Sequence, residues 1–214
     1  MTTKYVDGYI ARNANITAPR RVEVYNDNGN GLSGVGVIPD AVKPYVVAAE
    51  SGNGVLNRTI LTCTAVPLSV ADDAGQAQYG GVKLYTFPQG IVYVQGAVLN
   101  GNLTMGVTGT FIDAFTGVIA LGSATAGTGT TLVTTEATWL QSTAMSTASS
   151  KVAATAAFPV ATQITEAGAR WYDGHTTAGP VFLNVAIADD ASHTAGTGTW
   201  TGVVTMIWSI IADY

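Results

Sequence analysis

The sequence predicts an all-β protein, a jelly-roll-like β-sandwich preceded by an extended N-terminal arm. Short runs rich in Val, Ile, Thr and Tyr recur along the chain, and Gly, Pro, Asp or Asn closes each of them. These runs do not alternate with helical patterns in the way that βαβ units require. With 25 glycines in 214 residues, the composition favours strands and turns over long helices. Strands of this kind indicate a sandwich or a jelly roll, and a closed barrel is the alternative.

The clearest strands fall in the middle and at the end of the chain. Turn-forming residues separate three consecutive apolar runs, which are Val55–Val70, Gly81–Phe87 and Ile91–Leu99. Shorter runs follow at Leu103–Val107, Gly117–Gly122 and Leu132–Thr134, and the chain closes with Val181–Ile187 and Trp200–Ala212.

The last run carries apolar residues on both of its faces. Trp200, Met206 and Trp208 share one face, while Val203 and Ile207 share the other. This pattern predicts a central strand, or a strand whose outer face a neighbouring subunit covers. Trp200, Met206 and Trp208 are therefore the predicted oligomer interface.

Residues 135–180 have a weaker pattern. Thr135–Leu140 has a plausible helix start, and Ala144–Ala157 fits either a short helix or an irregular loop. Trp171–Gly174 is typical of a strand end that enters a turn.

The first 53 residues differ from the rest. Their apolar runs are short, turn residues separate them, and no segment is long enough to bury a core of its own. A small hairpin of Val22–Tyr25 with Val35–Ile38 fits the intervening Asn-Gly turns. The interpretation is an arm at residues 1–53, ordered by what it touches, followed by a β-sandwich domain at residues 54–214.

The charge content indicates an assembly. Charged residues make up only 11% of the chain, so we expect much of the surface to face protein rather than water. The net charge of −5 argues against a nucleic-acid partner. Residues 1–50 carry as many basic as acidic residues, so the negative charge lies in the remainder. The sequence also shows no signal-peptide pattern and no apolar run of membrane-spanning length, and we expect no membrane partner.

The motifs that could carry chemistry fit structural roles better. Gly29–Gly34 matches G-x-G-x-x-G, but a proline-terminated run follows it instead of a helix, so we expect no dinucleotide cofactor. Asn26–Gly31 has the spacing of a calcium loop without its acidic ligands. Solvated turn carboxylates explain the acidic pairs at 72–73 and 189–190 better than a shared cation.

The remaining reactive residues also have simple interpretations. His175 and His193 lie in polar loops without the partners of a zinc site, although a Ser-His-Asp triad is recognised only by geometry. Cys63, the sole cysteine, is predicted to be a buried, inert thiol. The predictions are therefore no catalytic residue, no cofactor and no metal.

Aromatic residues leave one binding hypothesis open. A sugar-binding platform and core or subunit contacts are the two interpretations of this set, which comprises Trp139, Trp171, Trp200, Trp208, Tyr79, Tyr85, Tyr93 and Tyr172. The adjacent Arg20 and Arg21 fit either a solvated turn or a pair that docks on carboxylates of a partner.

The turn and strand-end sequences resemble those of the jelly-roll capsid decoration (cement) proteins of tailed bacteriophages, from podovirus-like and siphovirus-like heads. The similarity rests on Gly52–Val55, Ala71–Gly75, Tyr79–Gly90, Thr134–Glu136, Thr165–Ala167, Asp173–Gly174, Leu183–Asn184, Asp189–Ala191 and Ala212–Tyr214. It covers most of the chain after residue 52, and the arm matches least well.

The resemblance implies a non-enzymatic virion structural protein on the outer surface of the capsid. Such a protein binds the phage major capsid protein and itself, with a homotrimer favoured over a homodimer, and stabilises contacts between capsid subunits. Within the arm we expect the capsid contacts to be Tyr9, Arg12, Arg20, Arg21, Tyr25, Lys43 and Tyr45. The alternatives are a head-fibre or tail-associated protein that binds a receptor or glycan, and a sugar-acting enzyme.

Overall fold

The structure is a computed structural model that describes residues 36–52, 56–73, 77–105, 117–127, 131–144, 156–160, 171–174, 179–188 and 195–212. These ranges form ten antiparallel strands and one short 3-10 helix, Thr134–Ala137. The strands are β1 (Val46–Gly52), β2 (Asn57–Asp73), β3 (Ala77–Thr86), β4 (Ile91–Met105), β5 (Gly117–Gly122), β6 (Leu140–Ala144), β7 (Ala156–Val160), β8 (Trp171–Asp173), β9 (Pro180–Ala188) and β10 (Gly196–Ala212). The predicted all-β, jelly-roll-like sandwich is confirmed. Residues 1–35, which contain most of the predicted arm, lie outside the described residues.

The strands form one sheet path that curls back on itself. Its order is β6-β5-β9-β3-β2-β10-β4-β7, with β1 paired to β2 and β8 paired to β4. The body of β2 pairs with β10, while its last residues, Ala71–Asp73, pair with β3. Strand β2 therefore joins two parts, which we call the β10 half-sheet (β1, β2, β10, β4, β7 and β8) and the β9 half-sheet (β6, β5, β9 and β3).

A single apolar core fills the space between the two half-sheets. Alternate residues of β10 and β9 have no exposed surface, as expected where one face of a strand meets the core. They are Trp200, Val204, Met206 and Trp208 on β10 and Val181, Leu183, Val185 and Ile187 on β9. Strand β10 has a partner on both sides, so the prediction of a central strand is confirmed.

Aromatic rings occupy one end of this core. Phe87 makes edge-to-face contacts with Tyr85, Trp139 and Trp208 at centroid separations of 5.3–5.5 Å. Each such pair contributes roughly 0.5–1.5 kcal/mol beyond simple burial. The indole N–H of Trp139 donates to the Pro180 carbonyl at 3.0 Å, so this buried polar atom is satisfied.

A loop covers the outer side of the β9 half-sheet, and Asn184 fixes it. The Asn184 side chain is fully buried; it accepts a hydrogen bond from Ala126 N and donates to the carbonyls of Ala124 and Glu136. Apolar residues under this loop form a second small cluster, of Ala120, Ala126, Leu132 and Ala186. The β9 half-sheet is thus buried on both of its faces at this point.

Residues 36–52 are part of the folded domain, although the sequence assigns them to the arm. Val37 and Thr86 exchange two backbone hydrogen bonds of 2.8 and 2.9 Å, and β1 pairs with β2 along its whole length. The side chains of Val42 and Val46 are only 3% and 2% exposed within the main core. The compact domain therefore includes residues on the N-terminal side of the predicted boundary at residue 53.

Two predicted elements differ from the observed ones. The runs Ile91–Leu99 and Leu103–Val107 were expected as separate strands, yet β4 continues through Asn100, Gly101 and Asn102. Leu132–Thr134 was expected to be a strand, but Leu132 and Val133 lie outside any strand and Thr134 begins the 3-10 helix. Leu132 packs in the small cluster under the covering loop.

Candidate functional site

The solvent-facing side of the β10 half-sheet exposes several large apolar side chains within the described ranges. Three rows of register partners cross β1, β2, β10 and β4, and we call their side chains the outer face. The rows are Val47, Thr62, Val203 and Asn100; Ala49, Ile60, Thr205 and Val98; and Ser51, Arg58, Ile207 and Gly96. Register partners point to the same side of a sheet, so these side chains form one continuous surface.

The outer face exposes large apolar side chains. Val47 is 69% exposed, Val98 43%, Ile207 40% and Val203 38%. Arg58 is the one charged residue among the outer-face positions. Large apolar side chains exposed together on one face of a sheet are typical of a site that binds another protein.

Strand periodicity explains how the sequence builds this surface. In β10 the residues with even numbers from 204 to 208 fill the core, so Val203, Thr205 and Ile207 must point outward. The edge strand β1 follows the same rule, because Val46 is buried and Val47 is exposed. Apolar residues on an exposed edge strand favour association with another chain.

A second feature is a polar cluster at the junction of the two half-sheets. The carboxyl group of Glu50 accepts hydrogen bonds from the Tyr85 hydroxyl and, at 3.2 Å, from Gly36 N. Its other oxygen is buried and has no hydrogen-bond partner within the described ranges. Nearby, Trp208 donates its indole N–H to Thr59 Oγ1 at 2.9 Å.

Burial controls the ionisation of this cluster. Desolvation raises the pKa of Glu50, and the hydrogen bonds from Tyr85 and Gly36 offset only part of that effect. Burial, together with the adjacent Glu50 carboxylate, also raises the pKa of Tyr85, so its hydroxyl remains a donor. The cluster holds Gly36 and β1 against β3, which is a structural role.

The predicted capsid-binding residues have different positions. Tyr9, Arg12, Arg20, Arg21 and Tyr25 lie outside the described residues. Lys43 is exposed and pairs with Asp40 at 2.5 Å. Tyr45 is partly buried and packs against the main core, so only part of its side chain can contact a partner.

The predicted oligomer interface needs a correction. Trp200, Met206 and Trp208 have 0% exposed surface within this single chain. They pack between the half-sheets and have no surface left for a second copy. The opposite side of the same strand, with Val203 and Ile207, is the side that a partner can reach.

Within the described ranges, the other candidate residues do not come together to form a catalytic or metal-binding site. Burial raises the pKa of Cys63 to about 12, and its side chain is 1% exposed, as expected for an inert thiol. Within those ranges no group of three or more His, Cys, Asp or Glu residues could hold a metal ion. The acidic pair at 189–190, His175 and His193 lie outside the described residues, and β2 extends through the pair at 72–73.

Sequence reasoning missed part of the outer face. The alternation of residues in Trp200–Ala212 places Val203 and Ile207 on the same face of the strand, so this part of the outer face was predictable from the sequence. Val47 was missed because Val46–Gly52 was assigned to the arm, and its pairing with β2 has no local sequence signal.

Comparisons with protein-family models, with curated proteins and with solved structures gave no match. Among the described residues, no helix has the length and apolar character needed to cross a membrane.

Proposed function

We propose that this chain is a virion structural protein, a capsid decoration (cement) protein that binds the outside of a phage head. In this role it stabilises contacts between major capsid subunits and has no catalytic activity of its own. The observation that carries the proposal is the outer face, which exposes Val47, Val98, Val203 and Ile207 and has Arg58 as its one charged residue. Such a surface fits a partner protein better than it fits water.

Two further observations support the proposal. The all-β, sandwich-like fold agrees with the one that the resemblance implies. The low charge content, 11% of residues, is unusual for a surface that is fully exposed to water. The outer face then contacts capsid subunits or other copies of this chain, and a homotrimer remains the preferred assembly. The arm residues Tyr9, Arg12, Arg20, Arg21 and Tyr25 remain proposed capsid contacts.

The variant Val203→Glu tests the outer face. Val203 is already 38% exposed, so a longer polar side chain can reach water while it places a charge in the apolar surface. We expect the variant to fold but to bind shells or its own copies at least about tenfold more weakly, a change of ~1.4 kcal/mol. Shell occupancy is measured by electron cryomicroscopy of purified particles, and self-association by sedimentation.

Val133→Glu is the matched control. Val133 is 55% exposed and precedes the 3-10 helix over the β9 half-sheet, away from the outer face. This control should bind as the unmodified protein does. Full occupancy by Val203→Glu, or a position of the chain on the tail alone, would contradict the proposal.

A further inference from the structure

Trp171 is the exception among the tryptophans of this chain. Of four tryptophans, Trp139, Trp200 and Trp208 have 0% exposed surface, whereas Trp171 is 55% exposed. Exposure on this scale leaves much of an indole ring in water, although the same fold buries three others completely. An aromatic ring held at a surface is a common anchor for a bound ligand.

The neighbours of Trp171 add a second ring and several hydrogen-bonding groups. In the sheet register, Trp171 on β8 pairs with Tyr93 on β4, and Tyr93 pairs with Ser209 on β10. The exposed Gln95 side chain donates to Ser209 Oγ at 2.8 Å. The exposed Asp173 lies two residues after Trp171 and so points to the same side. We call Trp171, Tyr93, Ser209, Gln95 and Asp173 the Trp171 platform.

The backbone holds this platform in place. Tyr172 points inward and its ring lies 6.1 Å from that of Trp139, which fixes the opposite orientation for Trp171. Just after β8, Gly174 N donates to the Gly90 carbonyl at 2.9 Å. The backbone of β8 therefore fixes the side of the sheet on which Trp171 lies, so that side is already set before a ligand stacks on the ring.

We infer that the Trp171 platform binds a neutral oligosaccharide. One side of a hexose ring presents C–H groups that stack on an aromatic face, and its edge presents hydroxyl groups that hydrogen-bond with amide, hydroxyl and carboxylate groups. The platform offers both kinds of group together, as ligand sites do. From β8 to β10 it spans about 10 Å, two strand spacings, which suits a short oligosaccharide.

The charge of the platform favours a neutral sugar over lipid surfaces, nucleic acids and acidic sugars. Its one charged member is the Asp173 carboxylate, which lies on the same strand as Trp171. Arg58 lies three strands from Trp171, about 14 Å along the sheet, and one strand from Ser209 at the other end of the platform. Lipid surfaces and nucleic acids attract basic groups, which the platform residues lack. The same carboxylate disfavours acidic sugars, so selectivity for neutral sugars is part of the inference. This binding goes beyond capsid attachment and does not depend on it.

Oligosaccharide binding to the unmodified chain can be followed through its own tryptophan fluorescence. Because the other three tryptophans are buried, iodide quenching of tryptophan fluorescence reports mainly on Trp171. The probes are hexamers of glucose, galactose, mannose, rhamnose and N-acetylglucosamine, with an oligogalacturonate as the acidic comparison. At least one neutral hexamer should protect Trp171 from iodide, and oligogalacturonate should not. Absence of protection by every neutral hexamer would overturn the inference.

Variants test whether the platform is the site. By titration calorimetry, Trp171→Ala should bind the active hexamer at least about tenfold more weakly, and Trp171→Phe should keep part of the affinity. Asp173→Asn should reduce the discrimination against oligogalacturonate. Val47→Ala, a change at an exposed residue of the distant strand β1, is the control and should bind normally. Unchanged affinity in a folded Trp171→Ala variant would show that the platform is not the binding site.

Discussion

At the scale of single residues, the Glu50 carboxyl group occupies an unusual position. It lies between β1 and β3, accepts hydrogen bonds from Tyr85 and Gly36, and keeps one oxygen buried without a partner in the described ranges. The hydrogen bonds hold the two half-sheets together, while desolvation opposes the charge on the same group. Glu50 therefore links β1 to β3, and the free-energy cost of burying its carboxyl group depends on pH.

Replacement of Glu50 by Gln should remove this pH dependence. Because burial raises the pKa of Glu50 above that of an exposed glutamate, folding favours the protonated form more than unfolding does. Its contribution to stability is complete below the unfolded-state pKa and is lost as pH rises through the folded-state pKa. Relative to the unmodified protein, Glu50→Gln should thus gain about 2–4 °C in Tm at pH 8 and almost nothing at pH 4. Thermal unfolding followed by circular dichroism measures both values.

The control for Glu50→Gln is Asp40→Asn. Asp40 is fully exposed, and its hydrogen bond and ion pair with Lys43 lower its pKa, so its substitution should give no gain at pH 8. A Tm difference for Glu50→Gln that stays constant between pH 4 and pH 8 would contradict the predicted ionisation of Glu50.

At the scale of elements, Gly101 shows why β4 is longer than its sequence indicates. Asn100–Asn102 has the composition of a turn, yet Gly101 lies directly opposite Gly202 of β10. A Cβ atom built on either glycine would come within 2.7 Å of Cζ2 of Trp200. The two glycines thus provide the space in which the buried indole of Trp200 packs, and the strand continues through them.

Gly101→Ala should therefore destabilise the protein. Overpacking at such a contact costs about 1–3 kcal/mol of unfolding free energy. Gly96 on the same strand is the matched control, because a Cβ atom there would meet nothing within 4 Å. Urea titration should show a lower midpoint for Gly101→Ala with an unchanged slope, and Gly96→Ala should stay within about 0.5 kcal/mol. Equal midpoints for the two variants would show that the Trp200 contact does not determine the glycine at position 101.

The strands that the sequence predicts well are those with local signals. β5 coincides with the predicted Gly117–Gly122, and β9 and β10 extend the predicted runs by a few residues. The extension of β4 depended on a cross-strand pair far apart in sequence, and the pairing of β1 depended on contacts with β2 and with Tyr85. Only part of the outer face could be predicted, for the same reason. The alternation within β10 places Val203 and Ile207 on one side of the strand, whereas Val47 reaches that side only because β1 pairs with β2.

At the scale of the whole molecule, the point at which the domain begins affects both stability and assembly. Residues 36–52 contribute Val42 and Val46 to the core and cover the edge of β2. They also contribute Val47 and Ala49 to the outer face, so one segment serves the fold and the proposed protein contact together. The proposed capsid contacts at Tyr9, Arg12, Arg20, Arg21 and Tyr25 precede this segment.

Two truncations separate these roles. If residues 1–35 act as the arm that the sequence predicts, their deletion should leave the thermal unfolding transition nearly unchanged, because Val42 and Val46 remain in the core. Deletion of residues 1–52 also removes two buried valines, each contributing about 1.5–3 kcal/mol, and should lower the unfolding free energy by about 3–6 kcal/mol. That loss is a large fraction of the 5–15 kcal/mol typical of a domain, so this variant should unfold at a much lower temperature or fail to fold.

The shorter truncation also tests the arm. A chain without residues 1–35 keeps the outer face, so its binding to shells reports on the arm alone. If the arm attaches the protein to the capsid, the truncated chain should fold and self-associate but should lose shell occupancy, because multivalent attachment is lost with it. Particle imaging measures occupancy, and sedimentation measures self-association. Full decoration by this variant would assign capsid binding to the domain, and an early unfolding transition would show that the domain itself requires residues 1–35.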